Sequence, residues 1–263
     1  MTESVLFSVE DYVGRLTLNR PERLNAMDLP MVQSVLERMS DAAGLVEVGN
    51  LRTLVISGGG DRAFSAGADM ESRRALSDAE RAVHLDLIAS MCREVYRFPV
   101  PVVAEIHGHC IGGGAELALS CDLLLATESS GFSLPEVKLG MVARSGGAVF
   151  ARRRLSHGAL AGMLLTGERV RAPEALRIGL IDRMVPNPEL LAEATDKVAS
   201  SIAGAGPHAV RSTKELLLSN STLPVEESLR LGDRLHAALA TTEDLREGLA
   251  ALEEKRAPAF VGR

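Results

Sequence analysis

Ile106-His107-Gly108-His109-Cys110-Ile111-Gly112-Gly113-Gly114-Ala115-Glu116 is the stretch on which the reading of this chain turns. Before it lies Pro101-Val102-Val103-Ala104-Glu105, a short apolar run that with Ile106 reads as a buried strand. After it, Ala115-Glu116-Leu117-Ala118-Leu119 reads as a helix, so three consecutive glycines stand between strand and helix. Glycine there lets a ligand approach the backbone, and a helix N-terminus offers unpaired N–H groups to developing negative charge. The same glycines also suit a turn with positive φ or close strand–helix packing, so the run by itself serves both ends.

Outward from this unit the chain alternates in the α/β manner. Val13, Leu16 and Leu18 predict a first strand, broken by Asn19-Arg20-Pro21-Glu22. Asp28 is placed as an N-cap, with Pro30 in the first turn and Met31, Val35, Leu36 and Met39 at helical spacing to about Ala43. Leu51 to Ile56 predicts a buried strand ended by Gly58-Gly59-Gly60, and Ser77-Asp78-Ala79-Glu80 has the spacing of a capping box opening a helix that Pro99 stops. Leu123 to Ala126 predicts the next strand. Beyond Pro186 the pattern turns helical, over Leu190–Ile202, Ala209–Leu218, Val225–Leu239 and Asp244–Lys255, so the tail is expected to be a helical appendage.

Composition removes several classes of function. With 263 residues and 46% hydrophobic, the chain buries a large core. Its 29 basic against 35 acidic residues, without long runs of one sign, argue against a nucleic-acid or membrane-surface binder. Zero Trp, two Tyr and six Phe make base stacking a poor fit as well. No apolar run reaches membrane-spanning length, and the first residues show neither a basic n-region nor an apolar h-region. Cys92, Cys110 and Cys121 are odd in number, lie in apolar segments and lack metal-ligand spacing, which points to a reducing, cytoplasmic compartment. The six histidines form no ligand pair, so no metal is expected.

Two acids stand in apolar company: Glu116 one turn into its helix, and Glu136 within Phe132-Ser133-Leu134-Pro135-Glu136-Val137. A buried carboxylate is costly unless paired, hydrogen-bonded or functional. Two that converge on one pocket can add water across a double bond, one activating the water and the other delivering a proton. Each could equally be a solvated residue on an amphipathic element. Other motifs fail: Leu117 stands where a dinucleotide-binding loop needs its third glycine, no Gly-Lys-Ser/Thr follows, and Ala63-Phe64-Ser65-Ala66-Gly67 lacks the first glycine of a nucleophile elbow.

At these residues the chain resembles the enoyl-CoA hydratase/isomerase (crotonase) superfamily over nearly its full length. Asn19-Arg20-Pro21 with Leu24-Asn25-Ala26 resembles the family's N-terminal signature, and Ala63-Phe64-Ser65-Ala66-Gly67-Ala68-Asp69 its first oxyanion segment. Gly112-Gly113-Gly114-Ala115-Glu116-Leu117-Ala118 with Cys121-Asp122 resembles the second. Phe132-Ser133-Leu134-Pro135-Glu136 with Leu139-Gly140 is similar to the second acid segment, and Leu165-Thr166-Gly167 and Glu243-Asp244-Leu245-Arg246-Glu247-Gly248 to Phe260 continue the match.

The resemblance implies a spiral of ββα units over 1–186 holding the coenzyme and active site, and a helical C-terminal region over 187–263 that packs homotrimers, often paired into hexamers. It implies that the backbone N–H groups of Ala68 and Gly113 hold the thioester oxygen while Glu116 and Glu136 handle water and proton. Arg23 and Arg62 are placed near the coenzyme's phosphates, Ala26 against its adenine through backbone atoms, Ala66 also at the coenzyme, and Lys255 or its neighbour near the coenzyme of its own or an adjacent subunit. The implied substrate is a 2-enoyl-CoA thioester, hydrated to 3-hydroxyacyl-CoA, with coenzyme A as part of the substrate and no separate cofactor. Two other readings stay open: an isomerase or C–C lyase using mainly Glu136, and a non-catalytic acyl-CoA or RNA binder, against which the acidic balance and the paired glutamates speak.

One departure from the family pattern bears on the chemistry. Where most hydratases have a Pro-Gly pair, it has Ala143-Arg144-Ser145-Gly146-Gly147, which puts Arg144 near the acyl pocket and puts the placement of the catalytic water in question. Arg144 there either meets a polar group on the acyl part, closes the site, or turns to solvent. His109 is expected either to face the pocket or to pack with a hydrogen bond, and the pocket wall to fall on about Met70 to Leu85.

Overall fold

In the computed structural model, which describes residues 3–263, the chain begins with a hairpin of β1 (Val5–Glu10) and β2 (Val13–Leu18), followed by α1 (Leu29–Glu47). Next come β3 (Thr53–Gly58), β4 (Ala63–Ser65), the short α2 (Met70–Arg74) and the long α3 (Asp78–Arg97). β5 (Val102–Ile106), β6 (His109–Ile111) and α4 (Gly113–Ser120) form the following unit. After it run β7 (Leu123–Thr127), β8 (Gly131–Ser133), α5 (Gly147–Ala151) and α6 (His157–Thr166). Then β9 (Val170–Arg171), α7 (Ala172–Arg177) and β10 (Arg183–Val185) complete the sheets. The tail is α8 (Pro188–Ala203), α9 (Pro207–Ser219), α10 (Val225–Leu239) and α11 (Glu243–Glu254).

The strands divide between a six-stranded sheet ordered β1-β2-β3-β5-β7-β10 and a four-stranded one ordered β4-β6-β8-β9. In each of the pairs β3–β4, β5–β6 and β7–β8 the first strand joins the larger sheet and the second the smaller. Neighbouring pairs lie parallel in both sheets. The chain therefore winds as a spiral of ββα units, as expected.

Helices cover both faces of the larger sheet, which explains its near-continuous apolar strands. On one face, α1 buries Met31, Val35, Met39, Ala42 and Val46 at helical spacing, its start fixed by Asp28, whose side chain accepts from Met31 N–H. On the other, Leu191, Ala199 and Ala203 of α8 pack against Val13, Val55, Val103 and Leu125. α9 is tied down by Lys214, whose buried Nζ donates to Asp122 Oδ2 at 2.7 Å and to Val100 O at 2.9 Å. Desolvation pulls the Lys214 pKa down while the Asp122 charge opposes that shift.

The capping box at Ser77/Glu80 forms as the sequence predicts. The main departure is at the glycine-rich stretch, read as strand–turn–helix: a further strand, β6, stands between β5 and α4, and it belongs to the other sheet. Three residues are too few to show a periodicity. The β1 strand also escaped the sequence reading, because Leu6 and Val9 face outward on an edge strand.

Candidate active site

The smaller sheet delivers the site. β4 and β6 run parallel, and their C-terminal ends bring Ala66-Gly67-Ala68 against Gly112-Gly113. A Cβ at Gly67 would lie 3.0 Å from Gly113 N, and one at Gly113 would lie 3.7 Å from Ala68 N. Neither amide N–H of Ala68 and Gly113 is engaged by another described residue, since Met27 binds the flanking Gly67 O and Asp69 N instead. Two converging, unpaired N–H groups, one of them at the start of α4, make a site for a developing oxyanion.

The first amide is held by a buried network. Asn25, fully buried, donates from Nδ2 to Gly59 O and Ala63 O and accepts from Arg20 N–H. Ser65 Oγ donates to Asn25 O and accepts from Gly67 N–H, fixing the turn that presents Ala68. Asp69 caps α2 and pairs with Arg20 at 3.1 Å.

Glu116 is 3% exposed, and its Oε1 accepts from Gly147 N–H at 2.9 Å. Burial pushes its pKa up to about 7, with the Glu136 charge adding to the rise and hydrogen bonds from Gly147 and Ser145 opposing it. Glu136 opens a 3₁₀ turn over Glu136–Leu139 after Pro135, and its pKa is also raised by burial. One of its oxygens is enclosed without a partner and the other lies 3.0 Å from where a Cβ at Gly112 would stand. Gly112 has φ +52, so glycine both permits the turn and leaves room for the carboxylate.

These groups border one cavity of about 350 Å³, lined by Ala66, Ala68, Gly113, Glu116 and Glu136 together with an apolar wall that includes Ile88 and Met141. Ala66, Ala68, Gly113, Glu116 and Glu136 are thus brought together. Arg23, Ala26, Arg62 and Lys255 are not in that lining. Arg23 pairs with Glu71 at 2.7 Å on the surface, and Ala26 has both its N–H and its carbonyl hydrogen-bonded within its loop. Arg62 is exposed beside His109, and Lys255 ends α11 in a left-handed conformation.

Arg144 does line the cavity, but its Nη2 donates to Asp86 at 2.7 Å. Ser145, not Arg144, turns inward to Glu116. His109 lies outside the lining and its buried Nδ1 has no partner, so neither expectation for it holds. Sequence reading missed Arg73, which lines the cavity from α2, and the Asn25–Ser65 scaffold. The near-miss nucleophile elbow held the signal for the latter: its serine is a structural hydrogen-bonding residue.

The enoyl-CoA hydratase/isomerase family model matches residues 8–263, and the chain belongs to that family. It is 34% identical to the (E)-benzylidenesuccinyl-CoA hydratase of Thauera aromatica, with 98% of this chain and 99% of that protein covered. It is 34% identical to the carnitinyl-CoA dehydratase of Salmonella typhi, with both chains covered in full, 100% and 100%. Among solved structures it superposes on the enoyl-CoA hydratase of Bacillus anthracis with a TM-score of 0.95 and 30% identity, covering 99% of this chain and 100% of that one.

Proposed function

We propose that this chain hydrates the double bond of a 2-enoyl-CoA thioester to give a 3-hydroxyacyl-CoA. The observation that carries it is the pair Glu116 and Glu136 in one cavity, both with pKa values raised by burial, beside the two free N–H groups of Ala68 and Gly113. With the thioester oxygen at those amides, negative charge arriving there on attack at C3 is stabilised as an enolate. The carboxylates then hold the water between them. One takes its proton as the C3–O bond forms, and a proton is delivered to C2 as the enolate collapses. A pKa of about 7 for Glu116 lets that group both accept and give a proton near neutral pH. The protons belong to the coupled pair rather than to either residue alone.

Relatives named for hydratase and dehydratase reactions on CoA thioesters support this reading. Under it coenzyme A is part of the substrate and no separate cofactor is used. Ala66 and Ala26 flank the coenzyme, Arg23 and Arg62 meet its phosphates, and Lys255 meets the coenzyme of its own or an adjacent subunit. Residues 1–186 carry the site, and residues 187–263 serve assembly into a trimer or a pair of trimers. Leu217, Val225, Leu229, Leu249 and Leu252 of the last three helices are all more than half exposed, apolar surface suited to such packing. The cytoplasm suits free, buried cysteines; no described helix is long and apolar enough to cross a membrane.

Loss of the enoyl-thioester ultraviolet absorbance on mixing with crotonyl-CoA tests the reading. The expected result is rapid loss with the native chain and none above background with Glu116→Gln or Glu136→Gln. Full activity in either variant would contradict it.

A further inference from the structure

The wall that α2 and α3 give to the cavity is apolar at Met70, Leu85 and Ile88, yet it also holds Arg73. Arg73 is partly buried, and its Nε is enclosed without a hydrogen-bond partner. The acceptor its guanidinium reaches among the described residues is Met70 Sδ at 3.7 Å, a weak one. The other cation of the lining, Arg144, is already matched by Asp86. The two glutamates do not serve Arg73 either: Glu116 Oε1 is taken by Gly147 N–H, and Glu136 Oε2 has no partner. With no counter-ion among the described residues, this guanidinium in an otherwise apolar wall is left for an anion to meet, and an alkyl chain would gain nothing from it.

Arg73 borders the same cavity as Ala68, Gly113, Glu116 and Glu136, so an acyl group that reacts there shares the cavity with its guanidinium. Resting on the thioester reading above, we infer that the cavity takes an acyl group bearing a carboxylate beyond the reacting carbons, and that Arg73 binds that carboxylate. The planar fork of arginine accepts a carboxylate through two parallel N–H···O bonds, and enclosure strengthens them. Arg144, with its charge already matched, contributes less.

Calorimetric binding of glutaryl-CoA and pentanoyl-CoA tests this, because the two acyl chains have the same number of carbons, differ by the carboxylate, and are saturated, so neither requires turnover. The native chain is expected to bind glutaryl-CoA more tightly by about tenfold to a hundredfold. Arg73→Met should bring the ratio of the two affinities near one, and Arg73→Lys should restore part of it, with thermal unfolding confirming that both variants fold. Equal binding of the two thioesters by the native chain, or an Arg73→Met variant that weakens both in proportion and keeps their ratio, would overturn the inference while leaving the thioester reading intact. Failure to bind either thioester, or coenzyme A itself, would overturn the thioester reading and this inference with it.

Discussion

The two sides of the cavity are built differently. One side, from Ala66–Ala68 and Gly112–Glu116, is backbone and buried carboxylate, set at the ends of two parallel strands and locked by Asn25 and Ser65. The other, from the five-residue α2, from α3 and from the loop that carries Arg144, is a wall of side chains: Met70, Leu85 and Ile88 with Arg73, and an Arg144 whose pair with Asp86 is half exposed or more. On the proposed reading, the reacting groups sit on the hydrogen-bonded side and the acyl group is selected by side chains on the other. Substitutions on the first side should therefore cost turnover, and those on the second should change which thioester is preferred.

The largest expected loss is at the carboxylates. Glu116→Gln and Glu136→Gln should each lower kcat by about a thousandfold, measured as initial hydration rates. A loss under tenfold in either would make that glutamate a bystander and collapse the contrast. Next comes Gly112→Ala. Its φ of +52 is unfavourable for alanine, and its Cβ would stand 3.0 Å from Glu136 Oε1, so the carboxylate must shift. A displacement of that kind costs about a hundredfold in kcat, while the backbone strain at φ 52, ψ −124 costs about 1–3 kcal/mol, readable as a lowered Tm.

The pH dependence of stability sharpens the picture of the buried side. Glu116 is raised from 4.5 to about 7 in the folded chain, so the folded state holds the proton more tightly than the unfolded one. Its contribution to stability is full below the unfolded value and is lost as pH rises through the folded one. Glu116→Gln, which keeps an acceptor for Gly147 N–H, is expected to gain thermal stability over the native chain between pH 5 and 8 and to lose that advantage at about pH 4. An unchanged difference across that range would mean that Glu116 titrates normally. The smallest effect is expected on the other side: Arg144→Ala removes an exposed pair worth about 0–1 kcal/mol, which urea unfolding would show as a near-unchanged midpoint.

Much of this was legible in the sequence. α1 and α3 announce themselves through Asp28 and the Ser77/Glu80 capping box, since caps are local chemistry. Glu116 and Glu136 stood out as acids in apolar surroundings, and the structure brings them to one cavity. What stayed hidden is non-local. That β6 crosses to a second sheet depends on pairing with β4 and β8, which no periodicity within three residues encodes. Arg73 reads as one more surface arginine, and only the folded chain shows its Nε enclosed beside the cavity. Arg144 was singled out by its departure from the family pattern, but its partner Asp86 lies 58 positions away and no local rule joins them.

The most direct test of the central claim is the fate of hydrogen when crotonyl-CoA is turned over in D₂O, followed by mass spectrometry and proton NMR of the product. Two carboxylates flanking one water predict a 3-hydroxybutyryl-CoA with a single deuterium at C2 and none at C4. A product with its double bond moved and no hydroxyl, or deuterium appearing at C4, would contradict it and assign the pair to proton transfer without hydration.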